Sequence, residues 1–136
     1  MTLVVADASA LVEYVLRTAR AAAVEEIIKR DDVALHVPAL CDVEVAAVVR
    51  RALTSRRVRE DRAAEAIADY LDLPIVRHGH AGLIARALQL RRHFSAYDAV
   101  YVALAERLGA ALLTCDDRLS RAVATHTAIA LSGGAP

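Results

Sequence analysis

Two apolar runs in this chain end on carboxylates. Leu3-Val4-Val5-Ala6 runs into Asp7, and Leu112-Leu113-Thr114-Cys115 runs into Asp116-Asp117. Short runs of this kind disappear into a sheet, so their terminal acids collect where strands stop. Two further acids stand near helix starts. Glu44, in P-A-L-C-D-V-E-V-A-A-V-V-R-R, lies at helical spacing from Leu40 and Val48 and is expected to point inward with Leu40, Val43, Ala47 and Val48. Pairing with an arginine is its structural alternative, whereas Asp42, on roughly the opposite face, suits the helix dipole. Asp98, in F-S-A-Y-D-A-V-Y-V-A-L-A-E-R-L, borders apolar bulk from Val100, Leu104 and Leu108; Ser95-x-x-Asp98 also has the spacing of a capping box, and both readings stand. Ser9 and Thr114 carry hydroxyls that can orient a carboxylate or a bound water, or simply cap a turn.

The chemistry of such a cluster follows from its electrostatics. At ~5 Å and an effective dielectric of ~20 each like-charged pair costs about 3 kcal/mol, so a four-acid cluster approaches ~20 kcal/mol of repulsion. A domain with ~5–15 kcal/mol of net stability cannot hold it fully ionised and empty. Some carboxylates are then protonated, or a cation sits among them. Oxygen-only donors select hard ions, Mg²⁺ or Mn²⁺. Cys41 and Cys115 have no C-x-x-C or Cys/His spacing, so they read as small hydrophobes in a reducing compartment rather than zinc ligands.

The elements that must position these acids alternate. Short strands are predicted at 3–6, 34–37, 73–76, 111–114 and 128–131, and helices at 9–16, 19–29, 40–55, 59–71, 81–91 and 96–108. That order indicates an α/β domain with a mainly parallel sheet, spanning 1–132, with 133–136 as a loose tail. In such a sheet ligands bind beyond the carboxyl ends of the strands, which is where Asp7 and Asp116 fall.

Composition narrows the partners. Seventeen basic and seventeen acidic residues cancel, so global charge is no argument for nucleic acid, and local arrangement must carry it. All basic residues except Lys29 are arginine, and Arg50, Arg51, Arg56, Arg57, Arg59 and Arg62 crowd the second pair of helices. They suit phosphate contacts, or a solvated helical surface paired with Glu60 and Glu65. No apolar stretch approaches the ~20 residues of a membrane span. The first residues lack the regions of a signal peptide, which leads to an expected cytoplasmic location.

The segments V-V-A-D-A-S-A-L-V-E-Y, P-A-L-C-D-V-E-V-A-A-V-V-R-R, S-A-Y-D-A-V-Y-V-A-L-A-E-R-L and L-L-T-C-D-D-R-L, in this order and spacing, closely resemble a PIN-domain ribonuclease of the VapC toxin type. The resemblance implies a three-layer α/β/α fold with a parallel sheet of about five strands, usually dimeric. It also implies a Mg²⁺- or Mn²⁺-dependent site, with one or two ions, that hydrolyses RNA phosphodiesters. Carried over by position, the four acids are Asp7, Glu44, Asp98 and Asp116, with Ser9 and Thr114 at the accompanying hydroxyl positions. Asp7 and Asp98 are expected to hold an ion most directly, Glu44 and Asp116 directly or through water. Asp117 has no settled counterpart and is read as exposed or supporting. Arg50, Arg51, Arg56 and Arg57 are candidates for RNA contact, and a small antitoxin protein is the expected partner.

Two other classes compete. A non-catalytic module could use the acid pocket to receive a partner's arginine, but one arginine needs fewer than four acids. A phosphate-accepting receiver domain would want a lysine near the last strands, and Lys29 is the sole lysine.

Overall fold

The computed structural model describes residues 1–132. The predicted tail at 133–136 lies outside the described residues. Four strands, β1 (Thr2–Ala6), β2 (Val33–Pro38), β3 (Ile75–His78) and β4 (Ala111–Leu113), form one parallel sheet in the order β3-β2-β1-β4. Val4, Val5 and Ala6 are buried without alternation, as expected of a central strand covered on both faces. The register sets Ala6 beside Leu113 and Pro38 beside His78, so the strands stop at one level and their following residues share one edge.

Seven helices flank the sheet: α1 (Ala8–Val15), α2 (Ala21–Ile28), α3 (Leu40–Thr54), α4 (Glu60–Asp72), α5 (Ile84–Gln89), α6 (Ala96–Leu108) and α7 (Asp117–His126). Helices α1 to α4 pack on one another, α5 packs on α6, and α6 lies against β1, β2 and β4. Ala99 to Ala105 are all buried, so α6 is apolar on every side, the mark of a helix inside the fold rather than on it. It begins at the Ser95 cap and ends at Gly109, whose φ of 61° supplies the left-handed turn a side chain would resist.

The structure corrects four readings of the sequence. The fifth strand predicted at 128–131 is only a bridge: Leu112 N–H donates to Ala130 O at 2.9 Å and Ser132 N–H to Leu112 O at 2.8 Å. The ladder cannot lengthen because β4 ends at Leu113, and Thr114 leaves the strand to serve the acid site. Helix α7 was not anticipated, although Asp116 caps it and Leu119 and Val123 recur at helical spacing. The third strand begins at Ile75 rather than residue 73, since Pro74 has no N–H to give the ladder. On α3 the buried stripe is Cys41, Val45, Val49 and Ala52, one step away from the predicted face, and Val43 is 71% exposed.

Candidate functional site

Asp7 closes β1 and opens α1. Its N–H donates to Leu113 O at 3.0 Å, and its carboxylate caps α1 by accepting from the Ala10 amide at 3.1 Å. Both oxygens also take hydroxyls: Ser9 Oγ donates to Oδ1 at 2.6 Å and Thr114 Oγ1 to Oδ2 at 2.5 Å. Those hydroxyls are themselves pinned. Ser9 Oγ accepts from the Cys115 amide at 2.9 Å, and Thr114 Oγ1 from the Asp116 amide at 3.0 Å. The ends of β1 and β4 are thereby tied together through one side chain. Asp7 is only 5% exposed, and burial is the largest influence on it, raising its carboxyl above the ordinary value. The hydrogen bonds from Ser9, Thr114 and Ala10 oppose that rise, and the charge of Asp116 adds to it.

Asp116 stands at the other strand end as the N-cap of α7, accepting on Oδ1 from the Arg118 and Leu119 amides at 2.9 and 3.2 Å. In the first turn of α6, the Ser95 hydroxyl accepts from the Asp98 amide at 3.1 Å, so the serine half of the capping box forms. Burial lifts the Asp98 carboxyl most, Asp116 lifts it further, and Arg118 and Ser95 pull it down. Glu44 faces the same space from α3. Burial raises its carboxyl, the Tyr101 hydroxyl donating to Oε1 at 2.7 Å opposes this, and Asp98 and Asp7 add to it.

The four acids, from four different elements, line a cleft of about 230 Å³ together with Ser9, Arg51, Tyr101 and the apolar Ala8, Ala47 and Val48. Residues more than a hundred positions apart thus share one space, as their strand-end positions led us to expect. Tyr101 was not anticipated. It lies one turn after Asp98 on α6, the signal that could have marked it. Asp117 is exposed in the first turn of α7, 3.8 Å from Arg20 and outside the cleft lining.

The arginines separate. Arg51 lines the acid cleft. Arg50 is exposed on α3 outside that lining, and Arg56 borders a different groove with Leu53, Val58 and Arg59. Arg57 donates to Ser55 Oγ at 3.0 Å, Arg59 pairs with Asp61, and Arg62 pairs with Glu65 and donates to Val15 O.

The donor set suits a hard cation. It is all oxygen, and three of its carboxyls are held above their ordinary values by burial and by one another, a condition that a divalent charge reverses. Among the described residues no group of three or more His, Cys, Asp or Glu side chains forms a ready-made cage for an ion. Such an open arrangement matches Mg²⁺ better than Ca²⁺ or Zn²⁺, because Mg²⁺ keeps several waters and takes one or two carboxylates directly.

Comparison with known proteins agrees with this geometry. The sequence model of the PIN domain matches residues 4–124. Ribonuclease VapC12 of Mycobacterium tuberculosis is 39% identical over 119 residues, which cover 88% of this chain and 91% of that protein. The crystal structure of VapC20 from Mycobacterium tuberculosis, described as a Sarcin-Ricin loop cleaving toxin, superposes with a TM-score of 0.68 at 20% identity, covering 88% of this chain and 94% of that one. VapBC2 from Rickettsia felis, solved bound to a DNA fragment from its promoter, gives a TM-score of 0.67 at 11% identity over 96% of this chain and 98% of that one. These two structures share the fold, and the sequence matches carry the kinship. This chain belongs to the PIN-domain family and, within it, to the VapC ribonucleases.

Proposed function

We propose that this chain is an endoribonuclease toxin that hydrolyses RNA phosphodiester bonds at the cleft of Asp7, Glu44, Asp98 and Asp116, with Mg²⁺ or Mn²⁺. The observation that carries the reading is the raised carboxyls of Asp7, Glu44 and Asp98 in one shared cleft: the protein gathers negative charge there and leaves it short of compensation. Kinship to proteins named ribonucleases supplies the substrate class.

Asp7 and Asp98 would hold one ion most directly, with Glu44 and Asp116 joining it directly or through water, or completing a second site. Bound there, a divalent ion supplies the Lewis acidity that polarises a phosphate and eases deprotonation of water. The chain's own residues do the positioning. Ser9 and Thr114 fix both lone-pair faces of Asp7 by donating to Oδ1 and Oδ2. Tyr101 holds Glu44, and the α7 amides hold Asp116. Arg51, on the wall of the cleft, attracts an RNA backbone that the acids alone would repel. Arg50, Arg56 and Arg57 stand outside that wall and contribute at most to the approach.

The reading extends to the assembly. A small cognate antitoxin is the expected partner, and a second copy of this chain the expected dimer mate. The site of action is the cytoplasm; no helix among the described residues is long and apolar enough to cross a membrane.

The test is purified protein with total cellular RNA and Mg²⁺ or Mn²⁺, with and without chelator, followed by sequencing of the cut ends. Discrete cuts bearing 5′-phosphate and 3′-hydroxyl ends, lost with chelator and in Asp7→Asn, are expected. Cutting that survives the chelator, or an Asp7→Asn protein that cuts at the wild-type rate, refutes the assignment.

A further inference from the structure

A second groove, about 540 Å³, opens beside the acid cleft and shares two of its walls, Asp98 and Asp116. Its size falls in the ~300–1,000 Å³ range of ligand pockets. The rest of its lining differs in character. Arg118 and Arg121 come from the first turns of α7, and His93, Phe94 and Ser95 come from the segment that leads into α6. Neither arginine enters an ion pair among the described residues, whereas Arg20, Arg30, Arg59, Arg62, Arg77 and Arg86 all do. The His93 ring is stacked on His126, at the end of α7, with centroids 3.5 Å apart and planes 6° from parallel. One face of His93 is therefore braced, and the ring is fixed as a platform.

We propose that this groove is the subsite for the nucleotide next to the bond that is cut, an inference that rests on the nuclease reading above. Arg118 and Arg121 hold the flanking phosphate, and His93, backed by His126, stacks its base. The acid cleft repels phosphate, so a bound strand must be gripped beside it, and the groove supplies free guanidiniums where the cleft ends. Single-stranded RNA offers splayed bases, and a flat ring beside a basic groove is the means by which such strands are held with little regard to sequence. An acidic peptide would use the arginines but has no need of the platform.

The proposal is tested by binding a short fluorescent single-stranded RNA to the full chain carrying Asp7→Asn with Mg²⁺ present, and by cleavage of the same RNA with Asp7 intact. Arg118→Gln/Arg121→Gln should weaken binding roughly tenfold or more and flatten the slope of log affinity against log salt by about 1.4, at ~0.7 per phosphate lost from a single strand. His93→Ala should weaken binding on the order of tenfold with the salt slope unchanged, because stacking releases no counterions. Arg30→Gln, at the opposite end of the sheet beside Asp32, should change neither. In cleavage the double variant should raise KM while kcat holds.

If the double variant keeps wild-type KM and salt slope while Asp7→Asn abolishes cleavage, the groove inference is wrong and the nuclease reading survives. A double variant that loses only an acidic protein partner, with RNA unaffected, makes the groove a protein surface and overturns the inference. Should the unaltered chain neither bind nor cut RNA, the nuclease reading fails first and the subsite falls with it.

Discussion

Two carboxylates on α3, Asp42 and Glu44, each accept a hydrogen bond from a buried tyrosine: Tyr70 donates to Asp42 Oδ1 at 2.6 Å and Tyr101 to Glu44 Oε1 at 2.7 Å. The two tyrosines meet at the buried Cys41 thiol, which burial pushes up to about 11 and which therefore stays neutral. Here the likeness ends. Asp42 also takes the Arg77 guanidinium, with Nε at 2.9 and 3.0 Å from its two oxygens, and that guanidinium lies 5.7 Å over the Tyr70 ring. Glu44 has Asp7 and Asp98 for neighbours and no guanidinium bonded to it. Two acids separated by one residue thus meet opposite fates, one neutralised and one left in repulsion. A buried acid with its own cation holds the fold together; one without it waits for a cation from outside.

The strongest way to break this contrast is to neutralise one acid from each set. Asp98→Asn should lower the RNA cleavage rate by three orders of magnitude or more, as loss of a group needed in the transition state does. The midpoint of urea unfolding should stay close to wild type or rise, since one repulsive charge is gone. Asp42→Asn should do the reverse, leaving cleavage within a few-fold while removing a charge-assisted bond to Arg77, at a cost of about 1–3 kcal/mol. Equal loss of cleavage in both variants would erase the distinction between the two sets.

Acidification gives a smaller effect of definite sign. Asp7, Glu44 and Asp98 are raised above their unfolded values of 3.8 and 4.5, so the folded chain binds their protons more tightly than the unfolded one. Their contribution to stability is fully present below those unfolded values and is lost as pH rises through the raised ones. His36, lowered from 6.5 by burial and then by His78, works the other way, losing its contribution as pH falls through its folded value. The difference between wild type and Asp98→Asn cancels His36. In chelator, from pH 7 down to pH 4, wild type should gain more stability than the variant, read from urea midpoints. Added Mg²⁺ should flatten the wild-type curve, because an ion favours the ionised carboxylates. Parallel curves in chelator would mean that Asp98 does not feel the cluster.

How much of this was legible without the structure depends on the range of each interaction. Asp7 and Asp116 could be found because a strand end is a local event and a parallel sheet puts such ends on one edge. Glu44 was found even though the face of α3 was placed one step off, since the cleft borders the buried stripe rather than lying within it. Tyr101 escaped because its partner is Glu44, 57 positions away, and a tyrosine in an apolar helix reads as core. Of the crowded arginines only Arg51 lines the cleft, a choice set by how α3 is rotated against β1, which no local pattern encodes. The oversight with the widest consequence was α7. With Asp116-Asp117 read only as a strand end, Arg118, Arg121 and the stacked His126 had no element to stand on, and the basic groove was invisible.

The finest probe of the contrast removes one hydroxyl from each side. Tyr70 and Tyr101 are both 2% exposed, so Tyr70→Phe and Tyr101→Phe each delete one oxygen with little change in packing. Each leaves a carboxylate short of one donor and should cost about 1–2 kcal/mol, visible as similar falls in urea midpoint. Their functional effects should part. Tyr70→Phe leaves Asp42 in the grip of Arg77, so the α3 backbone stays where it was and cleavage is unchanged. Tyr101→Phe releases Glu44 to turn within the cleft, and because its bond had been lowering the Glu44 carboxyl against burial, the carboxyl should rise further. Cleavage should fall several-fold, and the acidic limb of its pH profile should move to higher pH, a displacement that instability alone would not produce. Identical pH profiles for the two variants would show that Glu44 is held by its surroundings rather than by Tyr101.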